Sequence, residues 1–221
     1  MKKAKNMQKI MLSMLMLLLC CYTSFAQSAG NALQNAVARL DKASGVADYV
    51  ALEKEFSAIA VRQRDWLPYY YAAFCNAKIG FFYQDDRERI EPYSKRGEEQ
   101  ALKAKALLDT VAQKKELSEL YTVMSMVYRT RILINPMLYG RKFGILSGQY
   151  LQQAKALNPQ NPRAIYVEAL VKYYTPKIWG GDKQLAKQLA NASLAQLQHV
   201  SAGIAPHWGK AENMELLSHY K

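Results

Sequence analysis

The sequence predicts an all-α chain, folded as an irregular stack of antiparallel helix hairpins of the α-solenoid kind. Three observations lead there. Apolar residues recur at three- and four-residue spacing along most of the chain, and no run alternates as a half-buried strand would. Proline, glycine and Asn-Pro breaks interrupt the periodic segments after helix-length intervals, leaving short turns. In SGQYLQQAKALNPQNPRAIYVEAL, Ser147, Leu151 and Ala154 share one helix face, Pro159 ends that helix, and a second amphipathic helix opens after Pro162.

The elements follow in order. Residues 27–45 read as a polar linker and a weak helix around Leu33, Val37 and Leu40, broken at Gly45. A firmer helix runs through Val50, Leu52, Phe56 and Ile59. The next begins at Asp65, a residue suited to cap it, with Pro68 tolerated in its first turn, and continues through Tyr70, Phe74 and Phe81. A charged stretch from Gln84 to Arg89 and Pro92 precedes a helix on Ala101, Ala104 and Leu108. Leu117 to Tyr128 form another, ending at Asn135-Pro136. Gly140 and Gly144 predict a loop-like entry into the helix that ends at Leu157. The helix from Arg163 to Tyr174 stops at Thr175-Pro176, and Gly180-Gly181-Asp182 starts the next, through Leu185, Leu189 and Leu194. A looser segment with Gly203 and Pro206 leads to a short helix from about Lys210.

The stretch 147–195 resembles the tetratricopeptide (TPR) repeat, with Ala169, Ala186, Ala190 and Ser193 at its small-residue positions and Pro159 closing a second helix. The resemblance covers most of residues 46–200 and is thinner earlier, where Ala73, Ser125, Ala101 and Ala104 carry it. Glu168 stands where a leucine is usual, and residues 175–180 lengthen an inter-helix turn. A non-repeat bundle of alanine-rich helices is the structural alternative. With its leader and the sequence PRAIYVEALVKYYTPKIWGGD, the chain looks like small secreted TPR-like proteins of Gram-negative envelopes, a group the resemblance links to a compartment but to no chemistry.

Lys2, Lys3, Lys5 and Lys9 precede an apolar run from Ile10 to Leu19, too short to span a bilayer, and Ser24-Phe25-Ala26 offers a cleavage site. Residues 1–26 are therefore expected to be a signal peptide and 46–221 the helical domain, in a periplasmic or secreted protein. Lipidation at Cys20 or Cys21 is the rival reading, and neither cysteine follows the small residue that modification favours. Without the leader, 26 Lys/Arg face 18 Asp/Glu, a net charge of +8. These charges interleave along helices, as Glu98 and Glu99 do with Lys103 and Lys105, so they describe a solvated surface and offer no stripe for nucleic acid. Cys75 is then the one remaining thiol, expected to be buried as a small hydrophobe.

No catalytic or metal constellation stands out. His199, His207 and His219 lack a ligand spacing on one helix, and the acidic run Asp85, Asp86, Glu88 and Glu91 lacks the periodicity of a calcium loop. Gly180-Gly181-Asp182 reads as a tight turn with a capping aspartate, though paired glycines beside Lys177 and Lys183 also suit an anion. Fifteen tyrosines, clustered at 69–71 and 173–174, suit groove walls as well as core. In TPR proteins the first helix of each pair lines the concave face. Carried over position by position, the resemblance puts Tyr70, Phe74 and Ala77, then Thr122, Met126 and Arg129, then Tyr166, Leu170 and Tyr173 along a ligand groove.

The expected function is that of an exported, non-catalytic helical-repeat scaffold that binds a protein segment at the cell envelope. The alternative is a solute-binding adaptor for an envelope transport system, which needs an enclosed pocket. Enzymatic activity is not expected, and neither is a cofactor, a metal or a transmembrane segment after leader removal. A buried Glu168 is expected to meet Arg129, Arg131 or Lys172, and its loss to cost about 3 kcal/mol.

Overall fold

A computed structural model describes residues 31–201 and 203–220. The expected leader, its cleavage site and the lipidation reading at Cys20 and Cys21 lie outside the described residues, as does the start of the 27–45 segment. Among the described residues the fold is all-α. A helix at 31–40 (α1) is followed by α2 (Val46–Gln63), α3 (Trp66–Phe82), α4 (Ile90–Ala106), α5 (Lys114–Ile134), α6 (Pro136–Leu157), α7 (Pro162–Tyr174), α8 (Lys183–Leu197) and α9 (Lys210–Ser218). None of the described helices is long and apolar enough to cross a membrane.

Local chemistry sets the boundaries. Asp65 caps α3, accepting from the Leu67 amide, and Asp182 caps α8 through Leu185. Asn161 caps α7 twice over, accepting from the amides of Arg163 and Ala164 at 2.9 and 3.3 Å. Two expected breaks are absent. Pro92 lies in the first turn of α4, where its missing N–H has no intrahelical acceptor to serve. The glycines at 140 and 144 lie inside α6, which starts at Pro136: Asn135 ends α5 and at once caps α6, accepting from the Leu138 amide at 3.1 Å. A proline at the first helical position is pre-set for that start, so cap chemistry outweighs the weak helix propensity of the glycines.

Successive helices from α2 to α8 pack as neighbours, and α3, α5 and α7 also meet as a parallel set, so one face of the stack belongs to these alternate helices. Short turns force this up-and-down path. Small residues let the helices close. Ala101, Ala104, Ala154, Ala169, Ala186 and Ala190 have no exposed surface. At Gly80 a methyl would fall 2.8 Å from Thr130, where α3 crosses α5. Buried hydroxyls then bond across the gaps: Ser118 donates to the Ala154 carbonyl at 2.7 Å, and Ser125 and Ser147 lie 3.0 Å apart. Cys75 is fully buried, with burial and then Glu53 pushing its thiol well above the usual range, as a packed hydrophobe requires.

Glu168 corrects the expected pairing. Its partner is Lys155 on α6. Arg131 is paired with Glu98, Lys172 donates to the Gly180 carbonyl, and Arg129 meets none of these carboxylates. Lys155 and Glu168 keep 38% and 22% of their side chains exposed, which places the pair in water's reach. Glu168→Ala is therefore expected to cost about 1 kcal/mol or less, far from the cost of an orphaned buried charge. A urea midpoint lowered by the equivalent of roughly 3 kcal/mol would show instead that the pair is desolvated in solution.

Candidate functional site

The face shared by α3, α5 and α7 is built in levels. At the lowest, Glu119 of α5 forms a two-pronged ion pair with Arg163 of α7, Nε to Oε2 at 2.6 Å and Nη2 to Oε1 at 2.7 Å. The hydroxyl of Tyr70, on α3, reaches the same carboxylate at 3.5 Å. Burial would push the Arg163 guanidinium down, but Glu119 outweighs it and holds the charge in place. Burial first, and then Glu119, push Tyr70 far up, so its phenol stays protonated. About one turn further along α3 and α7 lie Phe74 and Tyr166, and two turns beyond Glu119 on α5 lies Met126.

The C-terminal segment covers these levels. Trp208 stacks on Phe74 with ring centroids 4.5 Å apart, meets Tyr166 edge-on at 6.2 Å and donates its indole N–H to the Tyr70 hydroxyl at 2.7 Å. Tyr71 donates to the Ile204 carbonyl at 2.8 Å, and His207 lies 2.8 Å from Asp41. Gly209 turns the chain into α9 at φ 121°, a conformation that glycine adopts without strain. Helix α9 is then held by Lys78–Glu212 at 3.2 Å and by Asn213, which donates to Ser193 at 2.8 Å. An aromatic groove open to solvent would be costly in water, and the chain fills most of it with its own tail.

The residues expected to line a groove thus divide. Tyr70, Phe74, Met126 and Tyr166 are buried in the present arrangement. Arg129 and Tyr173 stay partly exposed at the third level, above Trp208. Tyr173 is the centre of an aromatic cluster: Tyr174 lies edge-on at 4.9 Å, His219 stacks at 5.6 Å and Tyr220 lies at 5.4 Å. Lys183 sits 4.9 Å above the Tyr173 ring, and Lys187 is 5.5 Å from that of Tyr220. Beside the cluster, Tyr174, Ile178 and Trp179 expose 57%, 83% and 75% of their surface, large apolar groups that core packing does not explain. Among the described residues no group of three His, Cys, Asp or Glu side chains is placed to hold a metal ion.

Sequence reading missed the Glu119–Arg163 pair and the role of Trp208. The signal for the pair was available: the register of Thr122, Met126 and Arg129, extended back three residues, passes through Glu119, and that of Tyr166 passes through Arg163. Trp208 carried no such signal, because its segment has no helical period.

No protein-family model matches the chain, and no curated protein sequence does. Among solved structures it is similar to the HusA haemophore from Porphyromonas gingivalis, with 31% sequence identity and a TM-score of 0.71 over 89% of this chain and 92% of that one. At that identity and over nearly the whole of both chains, the likeness extends beyond the fold: this chain belongs to the family of the HusA haemophore.

Proposed function

We propose that this protein is an exported, TPR-like binding module of the cell envelope that carries a haem-type tetrapyrrole as cargo. The observation that carries the reading is the cluster around Tyr173. A tetrapyrrole is a flat apolar ring edged by two carboxylates, and here aromatic faces stand among lysines beside exposed Ile178 and Trp179. Such a surface suits ring stacking with charge pairing at the edge. The phenols of Tyr173, Tyr174 and Tyr220 and the imidazole of His219 are the groups of this cluster able to meet an iron. The kinship with a haemophore supports the same cargo. A protein segment, the ligand expected from the sequence, would have to displace Trp208 from the lower groove.

Titrating haemin and metal-free protoporphyrin into the protein tests this, read by the porphyrin absorption band and by quenching of tryptophan fluorescence. Saturable one-to-one binding is expected, weakened at least tenfold (about 1.4 kcal/mol) when Tyr173 and Trp179 are both changed to alanine. Trp179 is exposed whereas Tyr173 packs against the core, so Trp179→Ala alone should melt near the wild type and serves as the fold-neutral variant beside the double one. Unsaturable binding, or full affinity in the double variant, would sink the site.

A further inference from the structure

Arg129 is the anomaly of the upper groove. Among the described residues it makes no hydrogen bond, no ion pair and no ring contact, although its five N–H groups want acceptors. Burial alone lowers its pKa to about 10, and no carboxylate offsets that loss of hydration. Every other arginine that this fold draws inward has a partner: Arg96 has the Tyr93 ring, Arg131 has Glu98, and Arg163 has Glu119. A half-buried guanidinium to which the described residues give no acceptor keeps its N–H groups free for an incoming anion.

Its place in the stack identifies what that anion would belong to. Helices α5 and α7 pack in parallel, pinned by Glu119–Arg163 at the lower level. Residue 129 lies ten positions beyond 119, and residue 173 ten beyond 163. At about 1.5 Å per residue both side chains rise roughly 15 Å above the pin, so Arg129 stands level with Tyr173. Trp208 caps the levels beneath and leaves both partly exposed.

We propose that Arg129 is the anion-recognition residue of the site, taking a carboxylate of a ligand whose ring lies against Tyr173. The inference rests on the tetrapyrrole reading for the ring but not for the carboxylate. A guanidinium grips a carboxylate through two parallel N–H donors, and gains most where water is already excluded. The ligand-free protein tolerates the unpaired charge, and the ligand relieves it.

Protoporphyrin IX, its dimethyl ester and octanoate test the assignment on wild type, Arg129→Met and Arg129→Lys. Wild type should bind the diacid at least tenfold more tightly than the ester, Arg129→Met should lose that preference, and Arg129→Lys should keep part of it. Ligand-free Arg129→Met should melt no lower than wild type, because it removes an uncompensated charge. An unchanged preference in Arg129→Met overturns the assignment, and so does a marked fall in its melting temperature, which would reveal a structural partner. If wild type binds neither porphyrin, the tetrapyrrole reading fails by itself. Stabilisation of wild type but not Arg129→Met by octanoate then upholds the carboxylate site, and no stabilisation overturns it.

Discussion

Glu119→Ala is expected to destabilise the fold by about 3–5 kcal/mol, a large share of the stability of a domain of this size. The side chains of Arg163 and Glu119 are 7% and 9% exposed, so removing the carboxylate strands a guanidinium that water cannot reach. The Nη1 of Arg163 already lacks an acceptor among the described residues, which leaves nothing to take over the two bonds that are lost. The Tyr70 hydroxyl loses an acceptor as well. Replacing both partners, as Glu119→Met with Arg163→Met, should recover most of the loss, because the penalty belongs to the orphaned charge and not to the absence of a bond. Urea denaturation of the two variants separates these terms. A Glu119→Ala variant within 1 kcal/mol of wild type would mean that water enters between α5 and α7.

This pair shows where sequence reading reached and where it stopped. Helix existence was legible because the signals are local. Asp65, Asn161 and Asp182 cap within a few residues of themselves, and apolar periodicity marks each buried face. Even the misread boundaries have local causes: Pro92 sits in the first turn of α4, and Asn135-Pro136 both ends one helix and starts the next. The groove register at 122, 126 and 129 was also legible, through the repeat resemblance. What fills the groove was not. Trp208 reaches Tyr70 across 138 residues of chain, and Glu119 reaches Arg163 across 44. No spacing rule encodes such pairings; they depend on how the parallel helices α3, α5 and α7 come to rest against one another. Glu168 illustrates the same limit from the other side: its charge demanded a partner, yet helix packing made that partner Lys155.

The difference between the self-filled lower groove and the open third level also explains how an aromatic-rich protein stays folded while the proposed site remains uncovered. Buried aromatic area stabilises in proportion to the water it excludes. Tyr70, Phe74 and Tyr166 would expose costly surface without a cover, and a cover over Tyr173 and Arg129 as well would leave no site for a ligand. The tail divides the groove between these demands by placing Trp208 low and ending α9 beside Tyr173, where His219 joins the cluster.

Trp208→Ala is the second variant with a large expected effect, a loss of roughly 2–4 kcal/mol, toward the lower end of large aromatic truncations because the indole is only partly buried. Three contacts go together: the stack on Phe74, the edge contact with Tyr166 and the bond that satisfies the Tyr70 hydroxyl. Trp208→Phe keeps most of the stacking and loses the N–H, so it should fall between wild type and alanine, with the hydrogen bond accounting for about 1 kcal/mol. The loss should also be local. The tail adds only Leu216 to the buried core and is otherwise joined to the stack through contacts such as Trp208, His207–Asp41, Tyr71–Ile204, Lys78–Glu212 and Asn213–Ser193, whereas α3 and α5 supply much of that core. Hydrogen exchange in Trp208→Ala should therefore speed up first in α9 and leave the amides of α5 protected, as expected when one cooperative unit opens ahead of the rest. Equal acceleration in α5 and α9 would show that the tail is part of the folding core, and that no ligand could enter the lower groove without unfolding the protein.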